Sequence, residues 1–240
     1  ACGKGSQWDL ALLQLQEMRG LLLEPNRITL SAAIGACKAG QTWEHVLSLL
    51  AQLLQRSLQP SAASYNAAIV ACAQGEKWEW SMLVLNSMAT NSLMPNAMVY
   101  TVVLVACDHS QQWTPALQLL EQIQIRRVEQ DVVLFNAAMG ALGSGQQWNW
   151  AIHLLQHMRY AALTPDIVSY NTVISACQKS QKWSWALHLL VAMRREALRP
   201  DVVSYGAAIA AAAGAGAQGW EMGLRLAEAL QSEGLAPNAV

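Results

Sequence analysis

Trp8, Trp43, Trp78, Trp113, Trp148 and Trp183 stand 35 residues apart, and only Trp220 falls out of step, by two. A fixed period in the range of about 20–50 residues decides architecture before local propensity does, because one repeat cannot bury its apolar face without its neighbours. Pro25, Pro60, Pro95, Pro165 and Pro200 keep the same period, with Gln130 in the one missing place, and Pro237 follows two residues late. Cys2, Cys37, Cys72, Cys107 and Cys177 keep it too, with Leu142 in the gap. The cysteines are therefore repeat positions. Their odd number and the lack of any CxxC pair argue against a disulfide framework or a zinc site, and reduced thiols are expected.

Counting from the residue after each Pro-x pair gives units 27–61, 62–96, 97–131, 132–166, 167–201 and 202–238, preceded by a partial unit, 1–26, that holds a second helix. Within a unit a first apolar stripe recurs at helical spacing, as in Tyr170, Ile174 and Cys177, in Tyr65, Ile69 and Cys72, and in Phe135, Met139 and Leu142. A polar turn such as "QKSQK" follows, then a second stripe, Trp183, Ala186, Leu187, Leu190 and Met193. Asn26, Ser61, Asn96, Asp131, Asp166 and Asp201 precede the first helices, and each can accept a hydrogen bond from the free N–H groups of a helix start. The expected fold is all-α, a right-handed superhelical α-solenoid of tandem helix-turn-helix repeats in one continuous domain. The recurring Trp is expected to anchor the core between the two helices of a pair. In the last unit, "AIAAAAGAGAQGW" carries two extra residues and many small ones, which predicts weak packing there.

Composition narrows the functional classes. Although 53% of residues are hydrophobic, no apolar run reaches the length of a membrane span. A formal charge of −1 with only 13% charged residues provides no long-range basic field to steer the chain onto nucleic acid. No secretory signal or amphipathic transit peptide is read at the Ala1 end.

The period of 35, the helix pairs and the Pro-Asp or Pro-Asn before each first helix resemble the pentatricopeptide repeat family, and "VSYNTVISACQKSQKWSWALHLLVAMRREALRPD" matches its pattern nearly throughout. The resemblance covers residues 27–238. Trp at the start of the second helix is a departure, since members more often carry an aliphatic residue there. The resemblance implies binding of single-stranded RNA, one nucleotide per repeat, with a few side chains choosing each base. It assigns the reading to the fifth residue of the first helix and the last residue of the unit. Here these are Ser31 with Ser61, Asn66 with Asn96, Thr101 with Asp131, Asn136 with Asp166, Asn171 with Asp201, and Gly206 with Asn238. The second residues, Ile28, Ala63, Met98, Val133, Val168 and Val203, would flank the bases as apolar wedges. The family's base code then reads C, G, U and U for the four middle units, while the Ser–Ser pair is indeterminate and Gly206 has no side chain to hydrogen-bond. A mitochondrion or chloroplast, and a role in RNA processing, stability or translation, are implied in the same way.

The residues themselves weigh on both sides. The last-residue series is what any helix N-cap would use. The fifth-residue series is less easily structural, because Asn and Thr are poor interior helix residues. Arg19, Arg126, Arg127, Arg159, Arg194, Arg195 and Arg199 lie at the ends of second helices, where they also complement the helix dipole, whereas the first helices offer little beyond Lys38, Lys179 and Arg27. An alternative is a structural scaffold of a larger organellar assembly. Trp80, Trp150 and Trp185, two residues past the repeat Trp and about 200° round the helix, would then face a protein partner, provided less than half of each is buried. His153 and His157 have the spacing of a metal pair but no third ligand in register, so no metal and no cofactor are expected. No His-x-Glu with Cys-x-x-Cys is present, and no enzymatic activity is expected of these residues.

Overall fold

The computed structural model describes residues 8–21, 23–40, 42–214 and 216–232. Among them the chain forms thirteen helices and no strand: α1 (Trp8–Gly20), α2 (Arg27–Ala39), α3 (Trp43–Gln55), α4 (Ala62–Gln74), α5 (Trp78–Thr90), α6 (Ala97–His109), α7 (Trp113–Ile125), α8 (Val132–Ser144), α9 (Trp148–Tyr160), α10 (Ile167–Lys179), α11 (Trp183–Arg195), α12 (Val202–Ala213) and α13 (Gly216–Ser232). The even-numbered helices are the first helices of the units. The chain divides into two compact units, Ala1–Ala106 and Cys107–Val240. In the first, α2 packs on α3 and on α4, and α4 on α5; in the second, α10 packs on α8, α9, α11 and α12. Within each compact unit, α2 and α4 and then α8, α10 and α12 thus lie side by side with their second helices behind them, in the manner of a repeat solenoid.

All six first helices start as the sequence predicts. Asn26 accepts from the Thr29 N–H at 2.9 Å, Ser61 from Ser64 at 3.2 Å, and Asn96 from Val99 at 3.2 Å. Asp131 accepts from Leu134 at 2.7 Å, Asp166 from Ser169 at 2.7 Å, and Asp201 from Ser204 at 2.8 Å. Each such cap stabilises its helix by about 1 kcal/mol. The second helices α3, α5, α7, α9 and α11 begin on Trp with no side-chain cap.

The turns between helices follow one backbone rule. Ser57, Ser92, Arg127, Ala162 and Ala197 after second helices, and Glu76, Gln111, Gln146 and Gln181 after first helices, all take a left-handed φ between 49° and 60°. There the chain reverses with a bond back into the last turn, such as Leu58 N–H to Leu53 O at 3.0 Å and Lys182 N–H to Cys177 O at 2.8 Å. Glycine would take this conformation without penalty, yet none of the nine positions holds one.

Glycine is used one residue earlier, for clearance. Gly75 has an ordinary φ of −82°, but a Cβ on it would lie 2.6 Å from Trp43 Cδ1. Gly40 stands in the same relation to Trp8, and Gly145 to Trp113. This corrects the sequence reading of the repeat Trp. Trp8, Trp43, Trp78, Trp113, Trp148 and Trp183 are only partly buried. Where the contact is made, the indole lies across the repeat boundary on the end of the next first helix. The core between helices is instead built by the first stripe, in which Tyr65, Tyr170, Cys72, Cys177 and Ile174 are buried, and by Ala186, Leu189, Leu190 and Met193 of the second. In the last unit the small residues bring helices close, so that a Cβ on Gly223 would be in ordinary contact, 3.8 Å, with Ala212 Cβ.

Candidate nucleic-acid interface

Because first helices pack side by side, the capping residue of one helix comes level with the fifth residue of the helix before it, 30 positions earlier in sequence. Asn171 Nδ2 donates to Asp201 Oδ1 at 3.1 Å and Asn136 Nδ2 to Asp166 Oδ1 at 3.4 Å. Ser31 and Ser61 are bridged by Ser64, whose hydroxyl donates to Ser31 Oγ at 2.9 Å and lies 2.9 Å from Ser61 Oγ. Asn66 Oδ1 is buried without a hydrogen-bond partner, as is Asn136 Oδ1. Thr101 donates to its own helix, at Ala97 O, 2.9 Å; it belongs to the first unit and Asp131 to the second. At Gly206 the space a Cβ would enter is open, and Asn238 lies outside the described residues.

The two aspartates are held charged. Burial pushes the carboxyls of Asp166 and Asp201 up, but hydrogen bonds outweigh it and leave both below the usual carboxylate value. The bonds come from the backbone and hydroxyl of Ser169 and from Asn136 at Asp166, and from Ser204 and Asn171 in the same way at Asp201. Beside these pairs runs an exposed aliphatic row: Ile28 is 73% exposed, Met98 69%, Val133 62%, Val168 57% and Val203 60%. Ala63 is exposed in the same register. A helix face packed against protein would not leave such residues open.

In the second unit this face holds an open cleft of 360 Å³ lined by Val168, Asn171, Thr172, Ser175, Lys179 and Val203, among others. Its floor is kept low by glycine: a Cβ on Gly143 would lie 2.8 Å from Ala176 Cβ. Lys179 Nζ donates to Ser144 Oγ at 2.8 Å, and Ser144 in turn donates to Asp108 Oδ1. The ammonium is therefore tethered at the cleft's edge by a chain of one hydroxyl and one carboxylate.

Models of the pentatricopeptide repeat domain match residues 48–110 and 118–180, and a model of the PPR repeat family matches 165–213. The chain belongs to the pentatricopeptide repeat family. The structure of the pentatricopeptide repeat protein PPR10 from maize superposes with a TM-score of 0.70 at 24% identity, over 96% of this chain and 33% of that one. PPR10 in complex with an 18-nt psaJ RNA element gives a TM-score of 0.60 at 16% identity, covering 98% and 39%. The PPR domain of Arabidopsis thaliana protein-only RNase P 1, in complex with tRNA, gives 0.61 at 12% identity, covering 74% and 94%. The chain thus spans about a third of the length of the maize protein. No curated protein matches the sequence significantly.

Other residues singled out in this pentatricopeptide repeat chain are placed differently from expectation. Trp80, Trp150 and Trp185 are 44%, 43% and 41% exposed, so more than half of each is covered and the partner surface expected there does not meet its condition. The rotation past the repeat Trp does turn them from their own pair's core, but other rings lie against two of them. Trp185 sits 5.8 Å from the Trp148 ring and 5.9 Å from His188, and Trp150 sits 5.9 Å from His153. His157 packs on Phe135 at 6.0 Å, and among the described residues no three His, Cys, Asp or Glu converge as a metal site. No described helix is long and apolar enough to cross a membrane.

The arginines carry a structural role that the sequence did not disclose. Arg159 donates to the Tyr170 hydroxyl at 2.8 Å and pairs with Glu196, and Arg194 donates to the Tyr205 hydroxyl. In the first unit Asn91 Nδ2 serves Tyr65 at 2.9 Å. A polar residue eleven positions before a unit's buried Tyr was the available signal for Arg159 and Arg194. Burial pushes the thiols of Cys72 and Cys107 up to about 11 and that of Cys177 to about 12, so these cysteines are inert at neutral pH.

Proposed function

We propose that this chain binds single-stranded RNA along the face of its first helices, reading one base per unit. The observation that carries the reading is the pairing of Asn171 with Asp201 and of Asn136 with Asp166, hydrogen-bonded across neighbouring helices beside an exposed aliphatic row. An Asn amide offers both donor and acceptor to a base edge, and a carboxylate fixed below its usual pKa holds that amide in one plane. The RNA complexes of PPR10 and of RNase P 1 give the same fold a nucleic-acid partner and support the proposal. The base-reading pairs are Ser31 with Ser61, Asn66 with Asn96, Thr101 with Asp131, Asn136 with Asp166 and Asn171 with Asp201. The last four of these favour C, G, U and U in order. The setting proposed is mitochondrial or chloroplast RNA processing, stability or translation.

A second reading, a scaffold subunit that does not read bases, is favoured by one observation. The cleft edge offers Lys179 already tethered to Ser144, and RNA affinity depends on free cations. Titrating a short RNA containing CGUU against a scrambled one, at low and moderate salt, separates the two. Base reading predicts preference for CGUU at both salts with weaker overall binding at the higher. Equal affinity for both RNAs leaves the scaffold role.

A further inference from the structure

Within each compact unit, the third residue of a first helix lies beneath the proposed base-reading pair that its own cap completes, and its chemistry differs between repeats. Ser64, Ser169 and Ser204 occupy this place and are almost wholly buried, at 2%, 0% and 0% exposure, although hydroxyls are seldom so enclosed without a task. Two of them reach the fifth residue 33 positions earlier: Ser64 donates to Ser31, and Ser204 donates to Asn171 Oδ1. Ser169 and Ser204 both lie against their own cap carboxylates, at 2.8 Å from Asp166 Oδ1 and 2.9 Å from Asp201 Oδ1, so Ser204 divides its one proton between Asp201 and Asn171, whereas Asn136 Oδ1 above Ser169 is left buried without a partner. At the equivalent register position under Asn66 stands Val99, which has no hydroxyl, and Asn66 Oδ1 is likewise buried and unpartnered.

The consequence follows from the symmetry of an amide. A half-turn about the last side-chain torsion exchanges its oxygen and its NH₂ with little change of shape, so an Asn presents a defined face only where neighbours fix both ends. Asn171 is fixed at both: Asp201 accepts from Nδ2 and Ser204 donates to Oδ1. Asn136 is fixed at Nδ2, and Asn66 has no fixed oxygen.

We infer that the third residue of the following unit is a positioning residue for base selection, locking the amide above it where its hydroxyl reaches the amide oxygen, as Ser204 reaches Asn171. Ser204 then makes Asn171 a strict reader, and Val99 leaves Asn66 a permissive one. This rests on the base-reading proposal, and the test keeps the two apart. Discrimination among the four bases at the nucleotides opposite Asn171 and Asn66 is measured for the unaltered chain, Asn171→Thr, Ser204→Ala and Val99→Ser, with thermal melting as a control.

The expected result is sharper discrimination at Asn171 than at Asn66. Ser204→Ala lowers it at its own nucleotide by about five-fold, the factor one net hydrogen bond provides, while preference elsewhere stays the same. Val99→Ser raises discrimination opposite Asn66 by a similar factor, a gain that no loss of helix capping can imitate. If Asn171→Thr moves the base preference while Ser204→Ala and Val99→Ser leave it unchanged, or weaken all RNAs equally, the positioning role is overturned and reading stands. If Asn171→Thr also has no effect, both fall.

Discussion

Units 62–96 and 167–201 have the same skeleton and hold their fifth-residue amides differently. Tyr65 and Tyr170 are fully buried, as are Cys72 and Cys177, and Glu76 and Gln181 close their turns at the same φ of 56°. Asn66 and Asn171 occupy one register position on that skeleton, yet one amide has an unpartnered oxygen and the other is held at both ends. The buried column of Tyr and Cys and the fifth-residue column proposed to read bases are therefore distinct, while the capping residue between them serves the helix start as well. A column that packs can stay uniform while the column beside it varies, and exchange of side chains should separate the two effects.

The largest expected effect lies in the shared column. Tyr170→Ala should cost about 3–5 kcal/mol by chemical denaturation, the usual range for truncating a buried aromatic, with Tyr65→Ala close behind. Widely different costs would break the equivalence of the two units. Next comes clearance at the unit boundary. Gly75→Ala drives a Cβ against Trp43 and should destabilise by about 1–3 kcal/mol. RNA preference opposite Asn66 should not change.

Smaller and opposite in sign is relief of the left-handed turns. Ala197→Gly at φ 59° and Ser92→Gly at φ 60° should each stabilise by about 0.5–1 kcal/mol, seen as a rise in melting temperature. Acid should act more weakly and on one unit alone. Asp166 and Asp201 sit below their usual pKa when folded, so their stabilising contribution is present above the ordinary carboxylate range of about 4 and is lost as pH falls through the lower folded values. Unit 62–96 is capped by Ser61 and followed by Asn96, neither of which titrates. Hydrogen-exchange protection, taken relative to the intrinsic rate at each pH, should therefore fall between neutral pH and pH about 3 at the starts of α10 and α12 and not at those of α4 and α6.

The fold was legible because the repeat states it six times over. The caps Asn26 to Asp201 and the first stripes ending in Cys72, Leu142 and Cys177 can each be read from residue type and spacing, and each is where it was read. The repeat Trp was misplaced for a physical reason. Large apolar surface predicts burial somewhere, but not whether the partner is the same helix pair or the next, and only the glycines 32 positions later, Gly40, Gly75 and Gly145, carried that information. Trp185 shows the same limit, since a helical wheel ignores the Trp148 ring of the adjoining repeat. At the candidate interface the pairing of Asn171 with Asp201 came from the resemblance to the pentatricopeptide repeat family, laid on the period, whereas the buried Ser204 beneath it was not legible. A serine at a helix's third position reads as part of a cap.

The separation of columns is tested most directly by measuring Asn171→Thr in two ways on the same preparation: thermal melting, and binding to RNAs that differ only in the base opposite Asn171 and Asp201. The account predicts a melting temperature close to that of the unaltered chain and a preference moved from U toward G. The shift at that base should be about 1–3 kcal/mol if the cost of a mismatched pair at a DNA site carries over. An unchanged base preference, or a loss of all binding that tracks a fall in melting temperature, would contradict it.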